Sequence, residues 1–309
     1  MVPGPSPDDA SVFEEWRSLL FGIAYRMLGS AADAEDMVQE TFLRWLQRDE
    51  QEVRSVRAYL VTIVTRLCID QLGSARAQRV TYTGPWLPEP VTTDDTSALE
   101  QADTLSLAFL VLLEELTPPE RAAYLLHEVF GYQFDEVAQA MGRTTVGCRQ
   151  LAARARHRIE DRRKRFDADA RHGRELTRQF VAACATGDLQ GLMEMLADDV
   201  VVWTDGGGVV RAAMRPVVGP SRSSRFLVNV ARRLHGSPRE VMLNGQPAMV
   251  FMDGDRVVAT LALDILAGKV VGVRSVTNPH KLEHLRRQLL PDENERGRPG
   301  ASVLGCHDR

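Results

Sequence analysis

The stretch Glu120 to Arg165, ERAAYLLHEVFGYQFDEVAQAMGRTTVGCRQLAARARHRIEDRRKR, decides how the rest of the chain is read. Phe134, Val137, Ala138 and Met141 recur at helical spacing, and Gly142 follows where a helix end favours a residue that tolerates positive φ. Thr144 then stands where a hydroxyl caps a second helix. Along that helix Cys148, Leu151, Ala152, Ala155 and Ile159 share an inward face, while Arg149, Gln150, Ala153, Arg154 and Arg156 point away. The spacing predicts a helix-turn-helix whose second helix suits a major groove. Gly147 interrupts that helix at a cost of about 1 kcal/mol relative to alanine.

Charge points the same way. The 309 residues hold 38 Lys and Arg against 42 Asp and Glu, a formal net charge of −4, yet 143–165 contains nine Arg or Lys and only Glu160 and Asp161 as acids. A basic patch on an acidic chain is the footprint of phosphate contact. At 44% apolar and 26% charged residues the composition is that of a globular protein with room for two or three domains. No stretch approaches the roughly 18 consecutive apolar residues that a membrane span needs. The opening MVPGPSPDDA lacks the basic and apolar regions of a signal peptide, so residence in the cytoplasm is expected. Cys68, Cys148, Cys184 and Cys306 form no CxxC pair, and His280 and His284 share a helical face without a third ligand, so neither a disulfide, a metal nor another cofactor is expected.

Patterning divides the chain into five parts. Residues 11–79 are strongly helical, with Leu20, Ile23, Ala24, Met27, Val38, Phe42 and Trp45 inward, then Leu60, Val64 and Leu67. Thr62, Thr65, Arg66, Asp70, Ser74 and Arg76 fall on other faces. Residues 80–104 carry Pro85, Pro88, Pro90, Asp94, Asp95 and Glu100, and read as an extended acidic linker rather than a packed element. Helices resume over 105–170. Residues 173–290 open with two helices and continue as strands near 200–204, 240–243, 248–252, 257–265 and 270–277, with a helix near 221–233. A disordered tail is expected over 291–309.

Within the first part, ADAEDMVQETFLRWL presents Asp33, Asp36, Gln39 and Glu40 on one polar side, a face open to a basic partner. DAEDMVQETFLRW resembles the polymerase-binding segment of region 2 in bacterial extracytoplasmic-function (ECF) sigma factors, AYLVTIVTRLCIDQLGSAR resembles their promoter-melting helix, and LTPPERAAYLLHEVFGYQFDEVAQAMGRTTVGCRQLAARAR resembles region 4. The resemblance implies all-α regions 2 and 4, binding to the β′ clamp and β flap of core RNA polymerase, and promoter recognition. It implies that Asp33, Asp36, Gln39, Glu40 and Phe42 meet polymerase and that Arg66, Asp70, Ser74 and Arg76 meet the −10 element. It places Thr144, Arg149, Gln150, Arg154 and Arg156 at the −35 element. Gly73 replaces the arginine usual in its helix.

Residues 173–290 resemble the α+β cone of SnoaL-type cyclases and ketosteroid isomerases, a fold with a pocket at its mouth that could take a small molecule. Such catalysis needs a base and an oxyanion donor. The segment has no tyrosine, and Asp205, Asp253, Asp255 and Asp264 are its candidate acids; Asp205 and the Asp253–Asp255 pair sit where turns are expected. Catalysis is therefore not expected. Trp86-Leu87-Pro88-Glu89-Pro90, Asp205-Gly206-Gly207-Gly208 and Asn278-Pro279-His280-Lys281-Leu282 resemble three signatures of sigma factors with a fused SnoaL-like extension. That resemblance implies an interdomain regulatory contact through Trp86, Leu87, Pro88, Asp205, Gly206, Gly207, Gly208, Asn278, Pro279, Lys281 and Leu282, in a protein monomeric when free. Val209 and His280 depart from the lysine and aspartate usual there. Two other readings stay open: a DNA-binding regulator independent of polymerase, and a transcription factor whose last domain is an enzyme or a small-ligand sensor.

Overall fold

The computed structural model describes residues 7–48, 53–80, 82–92, 104–163 and 170–290. The acidic half of the linker with Asp94, Asp95 and Glu100, the tail 291–309, and the side chains of Ser74 and Arg76 lie outside the described residues.

Three helices form the first module: α1 (Pro7–Leu28), α2 (Ala31–Leu46) and α3 (Val56–Val80). Gly29, at φ 68°, turns the chain between the first two, and the Ser30 hydroxyl caps α2 by accepting from the Asp33 amide. Leu20, Ile23, Ala24 and Met27 pack with Val38, Trp45, Leu60 and Val64, each removed from water at a gain of about 1.5–3 kcal/mol for the larger side chains. Two expectations for α3 need correction. Leu67 is only half-buried, and Thr65, assigned to an open face, is buried. The reason is that α3 is packed by α1 and α2 of its own module and also by helices of the second.

The second module holds α4 (Leu107–Leu113), α5 (Pro118–Tyr124), a wide turn over Leu125–Val129, α6 (Phe134–Met141) and α7 (Thr145–Arg163). Gly142 ends α6 at φ 62°, and the Thr144 hydroxyl accepts from the Gly147 amide as the cap of α7. A Cβ on Gly147 would approach that hydroxyl to 3.0 Å, a close contact at this position of the cap. Cys148, Leu151, Ala152, Ala155 and Ile159 are buried, and Arg149, Gln150, Arg154 and Arg156 are exposed.

The third module packs α8 (Ala170–Thr186), α9 (Leu189–Met195) and α10 (Pro220–Ala231) on a six-stranded sheet in the order β2-β1-β6-β5-β4-β3. Its strands are β1 (Leu196–Asp205), β2 (Val217–Val218), β3 (Ser237–Leu243), β4 (Gln246–Asp253), β5 (Arg256–Leu266) and β6 (Lys269–Val276). All pairs are antiparallel except β1 with β6. This is the SnoaL-like α+β arrangement. Alternation along the strands splits the domain's core. One face sets Val202, Met249, Leu261 and Val273 against Phe180, Leu192 and Leu227 of the helices. The other sets Leu243, Val250, Ala262 and Val276 against Leu282 and Leu285 of α11 (Pro279–Leu289), and also against Leu87 of the linker and Leu107 of α4. The second sheet face is therefore an interface between modules.

Candidate functional site: a linker clamp between three modules

The linker is extended, as its prolines imply, but the expectation that it is not packed is wrong for its first half: Leu87, Pro88, Glu89, Pro90 and Val91 are all buried. Asp205, 0% exposed at the end of β1, is the hub. Its carboxylate accepts from the Tyr82 hydroxyl at 2.6 Å, the Leu87 amide at 2.8 Å, the Gly207 amide at 3.1 Å and the Lys281 ammonium at 2.7 Å. Lys281 also donates to the Leu87 carbonyl at 2.5 Å and lies over the rings of Tyr82 and Trp86. Burial and the neighbouring Asp205 carboxylate push the Tyr82 phenol up, so it stays a donor.

The glycines here serve close approach rather than a simple turn. A Cβ on Gly207 would collide with the Asn278 side chain at 2.2 Å, and one on Gly208 would crowd Thr83. Asn278 in turn donates to the Tyr82 hydroxyl and caps α11. Pro279 starts that helix, and Leu282 is buried against the sheet. Trp86 lies on Gly29, where a Cβ would meet its ring at 2.7 Å. All three sequence signatures thus meet at one place, and the first module closes over them.

Glu89 lies within the first signature but carries no role in the sequence reading, yet its carboxylate accepts from the amides of Ala31 and Ala32 and from the Ser30 hydroxyl, completing the start of α2 from a distant segment. Tyr25 donates to the Glu89 carbonyl at 2.5 Å and accepts from Asn244. Asn244 looks in sequence like an ordinary Asn-Gly hairpin turn, and its φ of 52° fits one. It is fully buried, and it also bonds Val91 through both its amide and its side-chain oxygen. Gln288 of α11 accepts from the Thr92 amide.

Burial raises the Glu89 carboxyl above its usual range, against the pull of the Ala32, Ser30 and Ala31 hydrogen bonds and of Lys281. A carboxyl with a raised bound-state pKa holds more protons closed than released, so the grip is strongest below the free value and weakens as pH rises through the raised one. Glu89→Gln is expected to abolish that dependence with the linker still held, whereas Glu89→Ala removes a helix cap at a cost of about 0.5–2 kcal/mol. Protection of 82–92 against hydrogen exchange, corrected for intrinsic rates across pH 4.5–8, reads both; equal pH profiles for wild type and the Gln variant would refute the assignment.

Residues expected at promoter and polymerase divide sharply. Arg66 donates to the carbonyls of Ala140 at 3.0 Å and Gln139 at 3.2 Å, at the end of α6. Arg57 meets the Tyr132 hydroxyl, buried Arg26 donates to Thr104, and Arg121 donates to the Met27 carbonyl. Burial lowers the Arg26 guanidinium to about 10. The first two modules therefore face each other directly. Asp70 is exposed. On α7, Arg154 pairs with Glu120 and Arg156 with Glu128, while Arg149 lies over Phe134. Burial pushes Glu120 up, but hydrogen bonds from Thr117 and Arg154, with Arg158 nearby, outweigh it and hold its carboxyl low. On α2, Asp36 and Gln39 are exposed, Asp33 and Glu40 half-buried, and Phe42 is half-buried against Phe13 at 4.8 Å.

The acids of the third module have other duties. Asp264 is buried in an ion pair with Arg274, and Asp253 and Asp255 flank the β4–β5 turn. His284 stacks on Phe21 and meets Gln288, while His280 is exposed. No helix among the described residues is long and apolar enough to cross a membrane.

Residues 12–78 match the family Sigma-70 region 2, and 106–159 match Sigma-70, region 4. The chain is 37% identical over 291 residues to the ECF RNA polymerase sigma factor SigJ of Mycobacterium tuberculosis (strain ATCC 25618 / H37Rv), covering 88% of this chain and 93% of that one. It is 34% identical over 280 residues to the probable ECF RNA polymerase sigma factor SigI of the same strain, covering 88% and 94%. The crystal structure of the Mycobacterium tuberculosis extracytoplasmic function sigma factor SigJ superposes with a TM-score of 0.71 at 35% identity, over 88% of this chain and 98% of that chain.

Proposed function

Because the chain belongs to the ECF sigma factors of RNA polymerase, we propose that its free form is a closed state, in which the C-terminal domain and the linker hold regions 2 and 4 together until polymerase and promoter separate them. As a sigma factor it binds core RNA polymerase and promoter DNA and starts transcription; it is not an enzyme. The observation that carries the closed-state reading is the 3.0 Å hydrogen bond from Arg66 in region 2 to the Ala140 carbonyl in the helix-turn-helix. By their names the −10 and −35 elements lie roughly 25 base pairs apart, on the order of 85 Å along B-form DNA at about 3.4 Å a step. Two readers in hydrogen-bond contact do not span that distance, so reading both elements requires them to part.

In the opened form, Asp33, Asp36, Gln39, Glu40 and Phe42 meet the β′ clamp, and region 4 meets the β flap. Arg66, Asp70, Ser74 and Arg76 meet the −10 element, and Thr144, Arg149, Gln150, Arg154 and Arg156 the −35 element. Arg154 and Arg156 exchange Glu120 and Glu128 for phosphates or guanine edges, the latter worth about 1–3 kcal/mol of discrimination each. The free protein is a monomer and works in the cytoplasm alongside polymerase, and a cleft in its C-terminal domain takes a small molecule. Run-off transcription with purified core polymerase tests the central reading. Core plus this chain is expected to initiate at a defined start site, with Asp36→Arg lowering output through weaker core binding; DNA binding without holoenzyme formation would favour a polymerase-independent regulator instead.

A further inference from the structure

A cleft of about 870 Å³ opens in the C-terminal domain between α10, the start of β5, the end of β6 and the loop residues 209–213. That volume lies within the range of small-molecule sites. Phe226, Val230, Leu234 and Val258 give it apolar walls. Val209, Val210 and Val230 leave 58%, 43% and 38% of their surface in water at its edge, an exposure that favours an apolar occupant. Arg211, Arg233 and Arg256 also line it, against Asp253 as the one carboxylate in its wall. None of the three guanidinium groups has a hydrogen-bond or ion-pair partner among the described residues, whereas Arg178, Arg274 and Arg286 of the same domain pair with Glu240, Asp264 and Glu283.

We propose that this cleft binds an apolar molecule carrying a single anionic head, a carboxylate or a phosphate monoester, and that its occupancy is felt by the linker clamp. The head takes the guanidinium groups, which bind both chemistries through paired N–H donors. The apolar body covers the exposed valines.

The route to the clamp is short. Val209 to Ala213 line the cleft, and the same loop holds the linker on its other side: Gly208 lies against Thr83, and Gly84 approaches Ala213 and Met214. Ala213 donates to the hydroxyl of Thr204 at 2.8 Å, and Thr277 to the Asp205 carbonyl at 3.2 Å; both threonines line the cleft. An occupant therefore touches residues that hold the backbone at and beside Asp205. This coupling rests on the closed-state reading, and the binding itself does not.

Calorimetric titration of the full-length protein with decanoate, decyl phosphate and decanol, each below its micelle concentration, tests the site. At least one anion is expected to bind roughly tenfold or more tighter than decanol. The tighter anion identifies the head. Arg233→Glu with Arg256→Glu, both exposed positions, is expected to weaken the anion by a similar factor and leave decanol unchanged, while the double lysine variant keeps part of the affinity; thermal melting checks that each variant folds. Equal affinity for decanol and both anions overturns the anionic assignment, and no binding of any of the three overturns the site. Hydrogen exchange of 82–92, measured with and without saturating anion, is expected to change; unchanged exchange on binding overturns the coupling. Loss of transcription activity would bear on the sigma-factor reading and enters none of these outcomes.

Discussion

Asp205→Ala is expected to release the linker and to raise transcription at limiting polymerase. The substitution removes the acceptor of four donors and takes from the Lys281 ammonium, in a residue 7% exposed, the carboxylate it pairs with at 2.7 Å. Removing one member of a buried ion pair costs about 3–5 kcal/mol, because the remaining charge is stranded. Opening the clamp returns Lys281 to water and relieves that cost, so the penalty falls on the closed state. The backbone bonds from Thr277 and Asn278 to the Asp205 carbonyl do not involve the side chain, so the domain itself stays folded. Adding Lys281→Met removes the stranded charge, and the double variant is expected to lie nearer wild type than either single one, a non-additivity that marks a direct pair. Multi-round transcription and the exchange protection of 82–92 check this. Lost protection with unchanged output would show that the clamp holds the linker without controlling initiation.

Arg121→Met is the second large effect, and it acts at the other contact. Arg121, 3% exposed on α5, donates to the Met27 carbonyl at 2.5 Å and pairs with Glu114 at 2.8 Å, tying region 4 to the end of α1. Methionine preserves most of the buried stem and removes the charged donor. Hydrogen bonds to charged groups contribute about 1.5–3 kcal/mol, so the equilibrium between closed and open is expected to move by roughly one to two orders of magnitude. Arg121 is 3% exposed and is not among the residues proposed at the −35 element, which separates this effect from DNA contact. A broader, longer distance distribution between regions 2 and 4 is the expected reading by spin-label spectroscopy, and an unaltered distribution would remove this bond from the closed state.

What was legible in the sequence followed from local rules. Gly142, Thr144 and the stripe from Cys148 to Ile159 carry their own geometry within a few residues, so the helix-turn-helix needs no knowledge of the rest of the chain. The alternation of the later strands was readable for the same reason, although their ends run longer than the apolar cores and the two-residue β2 gives no pattern at all. What was missed depends on partners far along the chain. Asn244 reads as a hairpin residue, yet its amide meets a tyrosine 219 positions earlier. Glu89 reads as one more acid in an acidic linker until the unpaired amides of α2 are placed beside it. Thr65 and Arg66 were assigned as though α3 had one packed side, because nothing in a single helix's period reveals that a second module covers it. The three signature motifs marked the clamp's place but not its hub, since a carboxylate before three glycines is ordinarily a turn.

The distance between region 2 and region 4 tests the central claim most directly. Cys68, Cys148 and Cys184 are buried, and burial pushes the Cys184 thiol up to about 12, so labels can be directed to Arg54→Cys and Glu160→Cys, both exposed positions, in a Cys306→Ser background. In the free protein a single narrow distance is expected, because the contact of Arg66 with α6 fixes the two regions against each other. In the promoter-bound holoenzyme it is expected to lengthen by several tens of ångström. The same distance in both states, or a broad distribution in the free protein, would contradict a sigma factor that is closed until polymerase and promoter open it.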